Sequence, residues 1–321
     1  MKITVPKGFK VGEAQDEYTG VTVVLCEKGA VGGVDCRGGA PGTRETDLLH
    51  PEKMMDKVNA VMLAGGSAYG LGAASGVMEY LKDHGIGYRT AGKTVPIVPA
   101  AVIFDLNDKD YRYPTAETGY TACENASNTP RLGQYGAGKG ATVGKIRGMK
   151  YACKSGVGAF TVKTAGVCVT AIMVVNALGD VFDPETGKIV AGAKANDGSF
   201  IDTEKHIVSG GLLKLFAGAN TTIGCIITDA KIDKAQANKL ASCAHDGLAR
   251  AIRPVHTDYD GDTVFCLASG RKPVINDMLL QTAAAYAAER AAVAAVSDCP
   301  CGEMIFGDGE DCADAPDGEE K

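Results

Sequence analysis

Tryptophan is absent from this 321-residue chain, and histidine occurs only five times. His50, His84, His206, His245 and His256 show neither H-x-x-x-H nor H-E-x-x-H spacing, so a zinc hydrolase centre lacks its ligands, and His245 reads as structural or substrate-adjacent. No segment reaches the roughly 18 to 20 uninterrupted apolar residues of a membrane span. The opening MKITVPKGFKVGEAQD has no apolar signal-peptide core. Neither sign of charge dominates: 33 Lys and Arg face 39 Asp and Glu, for a net charge of -6. No basic run interleaved with aromatics occurs, which leaves a nucleic-acid-binding face without an electrostatic basis. These absences describe a cytoplasmic protein with small, neutral or cationic partners, and neither membrane nor nucleic acid among them.

What the chain has is glycine, cysteine and apolar residues. With 45% hydrophobic residues it can bury a sizeable core, and 42 glycines without a repeat imply tight turns and close backbone approaches. The 11 cysteines are odd in number and mostly sit in apolar runs such as VTVVLC, GVCVTAI, GCIIT and TVFCLA, where they read as reduced core residues. Cys299, Cys301 and Cys312 lie instead in a polar C-terminal stretch, but no histidine or C-x-x-C spacing completes a tetrahedral metal site there.

Along the chain, VTVVLCE and VNAVMLAGG read as strands separated by glycine-rich loops. Ser67 occupies an N-cap position ahead of Leu71, Ala74, Met78 and Leu81, a helix closed by His84-Gly85. Asn107 to Pro130 is aperiodic and reads as a surface excursion. GVCVTAIMVVNALGDVFD is too continuously apolar to leave one face in water. After the Gly-rich linker SGGLLKLFAGAN comes the strand TTIGCIITDA. Asp233 and Gln236 then form a capping box for a helix with the stripe Leu240, Ala244, Leu248 and Ile252, stopped by Pro254. The strand DTVFCLASG, an Ala-rich helix from about Asn276 to Val296 and an acidic tail over 305–321 complete the chain. Strands and helices in mixed order favour one α+β layered sandwich domain over residues 1–304 rather than a Rossmann sheet.

Several catalytic motifs fail on counting. Ser67 lacks the second glycine of G-x-S-x-G, because Tyr69 stands there. GKGATVGKI has Lys139 and Ile146 where a phosphate-binding loop needs Gly and Ser or Thr. Gly70, Gly72 and Gly76 are spaced one residue too widely for a dinucleotide fingerprint and suit close helix packing. Two places remain. At Asn220-Thr221 a flexible linker runs into an apolar strand, by itself an ordinary loop-to-strand start. Asp260-Gly261-Asp262 opens another strand, and two residues apart in extended chain puts both carboxylates on one face. Buried together, one of the pair has its pKa raised and can accept a proton from a hydroxyl; the alternative is a solvated Asp-Gly turn.

The blocks GAVGGVDCRGGAPGTRETDLL, AVMLAGGSAYGLGAASGVMEYL, VPIVPAAVIFDLN, GAGKGATVGKI and AHDGLARAIRPVHTDYDGDTVF, in this order, resemble the L-aminopeptidase/D-esterase family. That family includes β-peptidyl aminopeptidases and endo-acting nylon-oligomer hydrolases, and the resemblance runs from about residue 10 to about 297. It implies an αββα sandwich like that of ornithine acetyltransferases and an autoproteolytic N-terminal-nucleophile hydrolase, with no metal or organic cofactor. The matching residues are Thr221 as nucleophile after Asn220, the carboxylates Asp260 and Asp262, Asn176 as oxyanion donor and Lys145 near the nucleophile. Phe104 stands where some members carry a catalytic tyrosine. Cleavage gives chains 1–220 and 221–321 that stay associated, and the resemblance implies homotetramers. A free N-terminal amine, with a pKa of about 7.7 to 8.0, can act as base for the threonine, whereas the uncut precursor needs another acceptor, for which the aspartates are the candidates. The expected activity is hydrolysis of small amino-acid amides or peptides by an aminopeptidase or amidase. The alternatives are an endo-acting oligoamide hydrolase, an acyltransferase of the ornithine acetyltransferase type, and an uncleaved scaffold.

Overall fold

β-branched and small residues at period two build the strands: β1 (Lys10–Gln15), β2 (Gly20–Cys36), β3 (Lys57–Ala64), β4 (Ala100–Val102), β5 (Val157–Thr164), β6 (Val167–Asn176), β7 (Thr221–Ala230), β8 (Thr263–Lys272) and β9 (Cys301–Phe306). The main helices are α1 (Ala74–Asp83), α2 (Ala116–Glu124), α3 (Lys234–Ala251) and α4 (Asp277–Ala294). This computed structural model describes residues 3–106, 111–211, 220–274 and 276–306. Strands run in the order β9-β5-β6-β7-β8-β2-β3-β4, then the two-residue strand Thr43–Arg44, with β1 on β2. β6 lies antiparallel to β7, whereas β7 and β8 are parallel, which requires the crossover that α3 supplies.

The long β2 divides this sheet into two layers. Its register shifts between Leu25 and Ala30, where Gly29 takes φ +76°; residues 20–25 pair with β1, residues 21–25 and 30–31 with β3, and residues 31–36 with β8. Three large cores follow from the alternation. Val21, Val23 and Leu25 pack with Met62 against Val77 and Leu81 of α1 and Ala122 of α2. Their neighbours Val24, Cys26, Val61 and Leu63 turn the other way and meet Ile223, Ile227, Phe265 and Leu267. On the far side Ile226, Val264 and Cys266 face Leu240, Ala244 and Leu248 of α3 and Ala284 and Ala288 of α4. The order helix, sheet, sheet, helix is the expected αββα sandwich. Each fully buried Leu, Ile or Phe contributes about 1.5–3 kcal/mol.

β6 and β7 are buried along their whole length, as their apolar runs require. Asp233 and Gln236 form the capping box, with Asp233 accepting from the Gln236 amide at 2.8 Å. Ser67 is not an N-cap: residues 67–83 form a short helix, a 3-10 turn and α1, and the left-handed Gly66 (φ +82°) precedes them without a side-chain cap. Of the three spaced glycines, Gly70 and Gly76 do permit close approach, since a Cβ on Gly76 would lie 1.7 Å from the Ala116 carbonyl oxygen, whereas Gly72 faces open space. The stretch 107–130 contains α2, which periodicity missed because Gly119 and Thr121 interrupt its apolar face. The tail starts later than expected: Ile305 and Phe306 extend β9 alongside β5, where their backbone finds ladder partners. The remaining tail and linker residues 212–219 lie outside the described residues. Most cysteines among the described residues are free, but Cys168, buried in β6, is disulfide-bonded, contrary to the reduced reading. Among the described residues no helix is long and apolar enough to cross a membrane.

Candidate active site

The first residue of β7 and the last of β6 are partners across the ladder, which sets Thr221 beside Asn176. Asn220 forms a parallel bridge to Asp260, the residue that leads toward β8. One end of the adjacent strands β6, β7 and β8 therefore gathers the linker's end, the candidate nucleophile, the asparagine and both aspartates, from three segments about 40 residues apart in sequence. All five are buried: Asn176 is 0% exposed, Asn220 2%, Thr221 4%, Asp260 2% and Asp262 1%. The solvated-turn alternative for Asp260-Gly261-Asp262 is thereby excluded.

Thr221 Oγ1 donates a hydrogen bond to its own preceding carbonyl, that of Asn220, at 2.5 Å. The same carbonyl oxygen accepts the Gly261 N–H at 2.9 Å. A backbone donor on the oxygen of a peptide bond whose neighbouring hydroxyl is in contact is the arrangement that stabilises an oxyanion. Residue 261 has to be glycine here, because a Cβ would lie 2.8 Å from both Thr221 Oγ1 and the Ala40 carbonyl oxygen. Gly261→Ala keeps the N–H, but the clash of its Cβ displaces both that donor and the Thr221 hydroxyl, and any cut at Asn220-Thr221 is expected to slow by up to about 10², the scale of one lost oxyanion donor. Intact-mass sampling after synthesis reads that delay, and a thermal melt separates it from the about 1–3 kcal/mol that overpacking costs.

The carboxylates precede β8 rather than lying in it, and each has its own donors. Asp262 Oδ1 accepts the Thr222 N–H at 2.6 Å, while Oδ2 accepts the backbone N–H of His256 at 3.0 Å and its Nδ1 at 2.8 Å. Asp260 Oδ2 accepts from Thr257 N at 2.8 Å and Thr257 Oγ1 at 2.6 Å. Burial, then the charge of Asp262, raises the Asp260 pKa to about 6, against the opposing bonds from Thr257. The expectation of one raised carboxylate is met, and Asp260 is that group.

Lys145 is not a solvated turn residue. It is buried, and its Nζ donates to Asn176 Oδ1 at 2.7 Å and to the Asn176 carbonyl at 2.9 Å. Burial lowers its pKa to about 7, while the charges of Asp260 and then Asp105 oppose the shift. Asn176 Oδ1 also accepts the Thr142 N–H at 3.1 Å. With two donors on that atom the other end of the amide has to be the NH₂ group, and Nδ2 accordingly donates to the Phe104 carbonyl at 3.0 Å. Position 104 thus reaches the site through its backbone. Asp105 follows it, with Oδ1 accepting the Gly66 N–H at 2.6 Å and a pKa raised to about 6 by burial.

The sequence reading missed His256, Thr257 and Asp105, and passed over the Gly261 N–H. The signal for the first two was the polar density of HTDYDGD just before an apolar strand. Asp105 gave none, because an aspartate after an apolar run reads as a loop start. Among the described residues no group of three or more His, Cys, Asp or Glu side chains could hold a metal ion.

The family model for peptidase family S58 matches residues 2–303. The chain belongs to peptidase family S58. Within this family it is similar to an uncharacterised aminopeptidase of Mycobacterium leprae (strain TN), 47% identical over 78% of this chain and 71% of the relative. It is also similar to the 6-aminohexanoate-oligomer endohydrolase of Kocuria sp. (strain KY2), 32% identical over 82% of this chain and 73% of that enzyme. Among solved structures, the L-aminopeptidase D-Ala-esterase/amidase of Ochrobactrum anthropi, a variant of the Ntn-hydrolase fold, superposes with a TM-score of 0.67 at 18% identity. That match covers 91% of this chain and 86% of the other. A Burkholderia sp. β-aminopeptidase gives 0.65 at 20% identity, covering 91% and 87%. At such identities these structures establish the fold alone. This S58 member is an amide-bond hydrolase of the aminopeptidase or amidase type.

Proposed function

We propose that the S58 chain matures by cutting itself between Asn220 and Thr221, and that the freed Thr221 is the nucleophile of the mature enzyme. The observation that carries this reading is the scissile carbonyl itself, whose oxygen accepts both the Thr221 hydroxyl and the Gly261 N–H. In the first step Thr221 Oγ gives up its proton and bonds to the Asn220 carbonyl carbon. The C–N bond breaks, and the proton goes to the departing nitrogen. Water then hydrolyses the resulting ester, leaving a carboxylate on Asn220 and a free hydroxyl and amine on Thr221. Asp260 suits the transient proton acceptor, since a pKa near 6 leaves it ionised at neutral pH yet more basic than an ordinary carboxylate. Asp262 holds the start of β7 in place through the Thr222 N–H.

In turnover the free amine takes over as base, Thr221 Oγ attacks the substrate carbonyl, the amine product leaves, and water releases the acyl group. Asn176, oriented by Lys145 and Thr142, supplies the amide that faces a substrate oxyanion. No step needs a metal or organic cofactor. The two chains stay together as one folded unit, because Ile223 to Ile227 lie between both cores, and homotetramers in the cytoplasm complete the proposal.

The substrates are small amino-acid amides or short peptides with a free amino group, attracted by the negative charge of the aspartates. Both oxygens of Asp262 are already engaged, so Asp260 is the carboxylate that meets an ammonium. That engagement, with the similarity to the Kocuria endohydrolase, favours endo-acting oligoamide hydrolysis as the second reading. Amino-acid p-nitroanilides, their N-acetylated forms and aminohexanoate oligomers assayed side by side decide between them. The free amides should be cleaved at least about tenfold faster; faster cleavage of blocked compounds assigns the protein to the endo-amidases.

A further inference from the structure

His256 lies outside the residues that the resemblance assigns, yet it makes two of the three bonds to Asp262. Its backbone conformation is left-handed, φ +60°, a cost that places both its N–H and its Nδ1 on the same carboxylate oxygen. Its other ring nitrogen, Nε2, faces the His245 carbonyl at 3.4 Å. Two acceptors at the two nitrogens suit the doubly protonated ring, since a neutral imidazole has only one N–H to give. The His245 ring stacks edge-on against it at 4.7 Å between centroids and donates from Nε2 to the Asp35 carbonyl at 3.0 Å.

We propose that His256 is a positioning residue: held as an imidazolium between Asp262 and the His245 carbonyl, it fixes Asp262 on the Thr222 amide and offsets its charge beside Asp260. The inference rests on the reading of Thr221 as nucleophile, because that is what gives the start of β7 its catalytic importance. The charged and titratable groups around the ring agree. Burial alone would lower the His256 pKa, but the bond and charge of Asp262, together with the His245 carbonyl, more than offset burial and the charge of Arg37, and the net shift is upward. His245 goes the other way, to about 4, through burial and then the charge of His256, against the Asp35 carbonyl bond and the charges of Asp262 and Asp35, so it stays neutral. Arg37 is itself paired with Asp35 and Asp246. The His256 charge also lowers the Asp260 pKa.

His256→Asn separates charge from geometry, because asparagine tolerates the left-handed backbone and can keep an N–H on Asp262. Turnover should fall about tenfold or more at neutral pH, with KM little changed. The acid limb of the self-cutting rate against pH should move up by about one pH unit, since Asp260, the proton acceptor of that step, is harder to ionise without a neighbouring positive charge. His256→Ala should be worse than His256→Asn. A profile for His256→Asn that superimposes on wild type overturns the proposal. A second measurement does not require that variant to fold: in the full-length Thr221→Ala protein, the His256 ring signal should titrate above the ordinary histidine value of about 6.5, and below it once Asp262→Asn is added. Titration at or below 6.5 with Asp262 intact also overturns it. If wild-type protein stays uncut while His256 titrates as described, the nucleophile reading fails and the His256–Asp262 ion pair stands.

Discussion

Purified wild-type protein is expected to separate under denaturing conditions into residues 1–220 and 221–321, and Thr221→Ala to remain one chain. N-terminal sequencing of the smaller fragment should begin Thr-Thr-Ile-Gly. The expectation follows from position rather than from residue type alone. Among the described residues Thr221 is the only one whose hydroxyl donates to the Asn220 carbonyl, and that carbonyl carries the Gly261 N–H as well. Removing the hydroxyl removes the attacking atom and leaves the sandwich intact, because β7 keeps its ladder on both sides. Thr221→Ser should still be cut. Persistent full-length wild-type protein, or a fragment beginning elsewhere, removes Thr221 from the mechanism.

The two aspartates should separate activity from stability in opposite ways. Asp260→Asn is expected to slow maturation and turnover by about 10²–10⁴ while leaving the protein as stable as wild type, or more so, at pH 7 to 8. The sign follows from the raised pKa: a carboxylate at about 6 in the folded protein and about 3.9 unfolded contributes stability below pH 4, and loses it as pH rises through 6. Ionised Asp260 is therefore a burden to the fold at neutral pH, and the neutral amide relieves it. Its oxygen can still accept both bonds from Thr257. Asp262→Asn should lose activity and stability together, by about 1–3 kcal/mol for the latter, because one amide oxygen cannot serve the three donors Thr222 N, His256 N and His256 Nδ1. Intact-mass time courses and thermal melts from pH 4 to 8 read both. Wild-type rates in both variants would reduce the Asp-Gly-Asp segment to a structural turn.

This difference between neighbouring carboxylates, two residues apart in the same three-residue stretch, is settled by the loop that precedes them. Thr257 reaches back to Asp260, and the left-handed His256 reaches Asp262. Lys145 shows the same dependence on surroundings. In sequence it is a lysine in a glycine-rich turn; in the fold it is buried against Asn176 with a pKa of about 7.

By itself the sequence determined the layered α+β class, the buried strands β6 and β7, the capping box of α3 and, through its resemblance, the family of the chain and the candidate cut site with its asparagine, lysine and aspartates. These are legible because apolar runs, cap residues and family motifs are local in the chain. Only the tertiary structure decided that β2 serves both sheet layers, that residues 116–124 are helical, that Gly261 donates to the Asn220 carbonyl, and that His256, Thr257 and Asp105 join the site. Each of these depends on groups distant in sequence meeting at one end of β6, β7 and β8, where burial and neighbouring charge, rather than residue type, assign the proton positions.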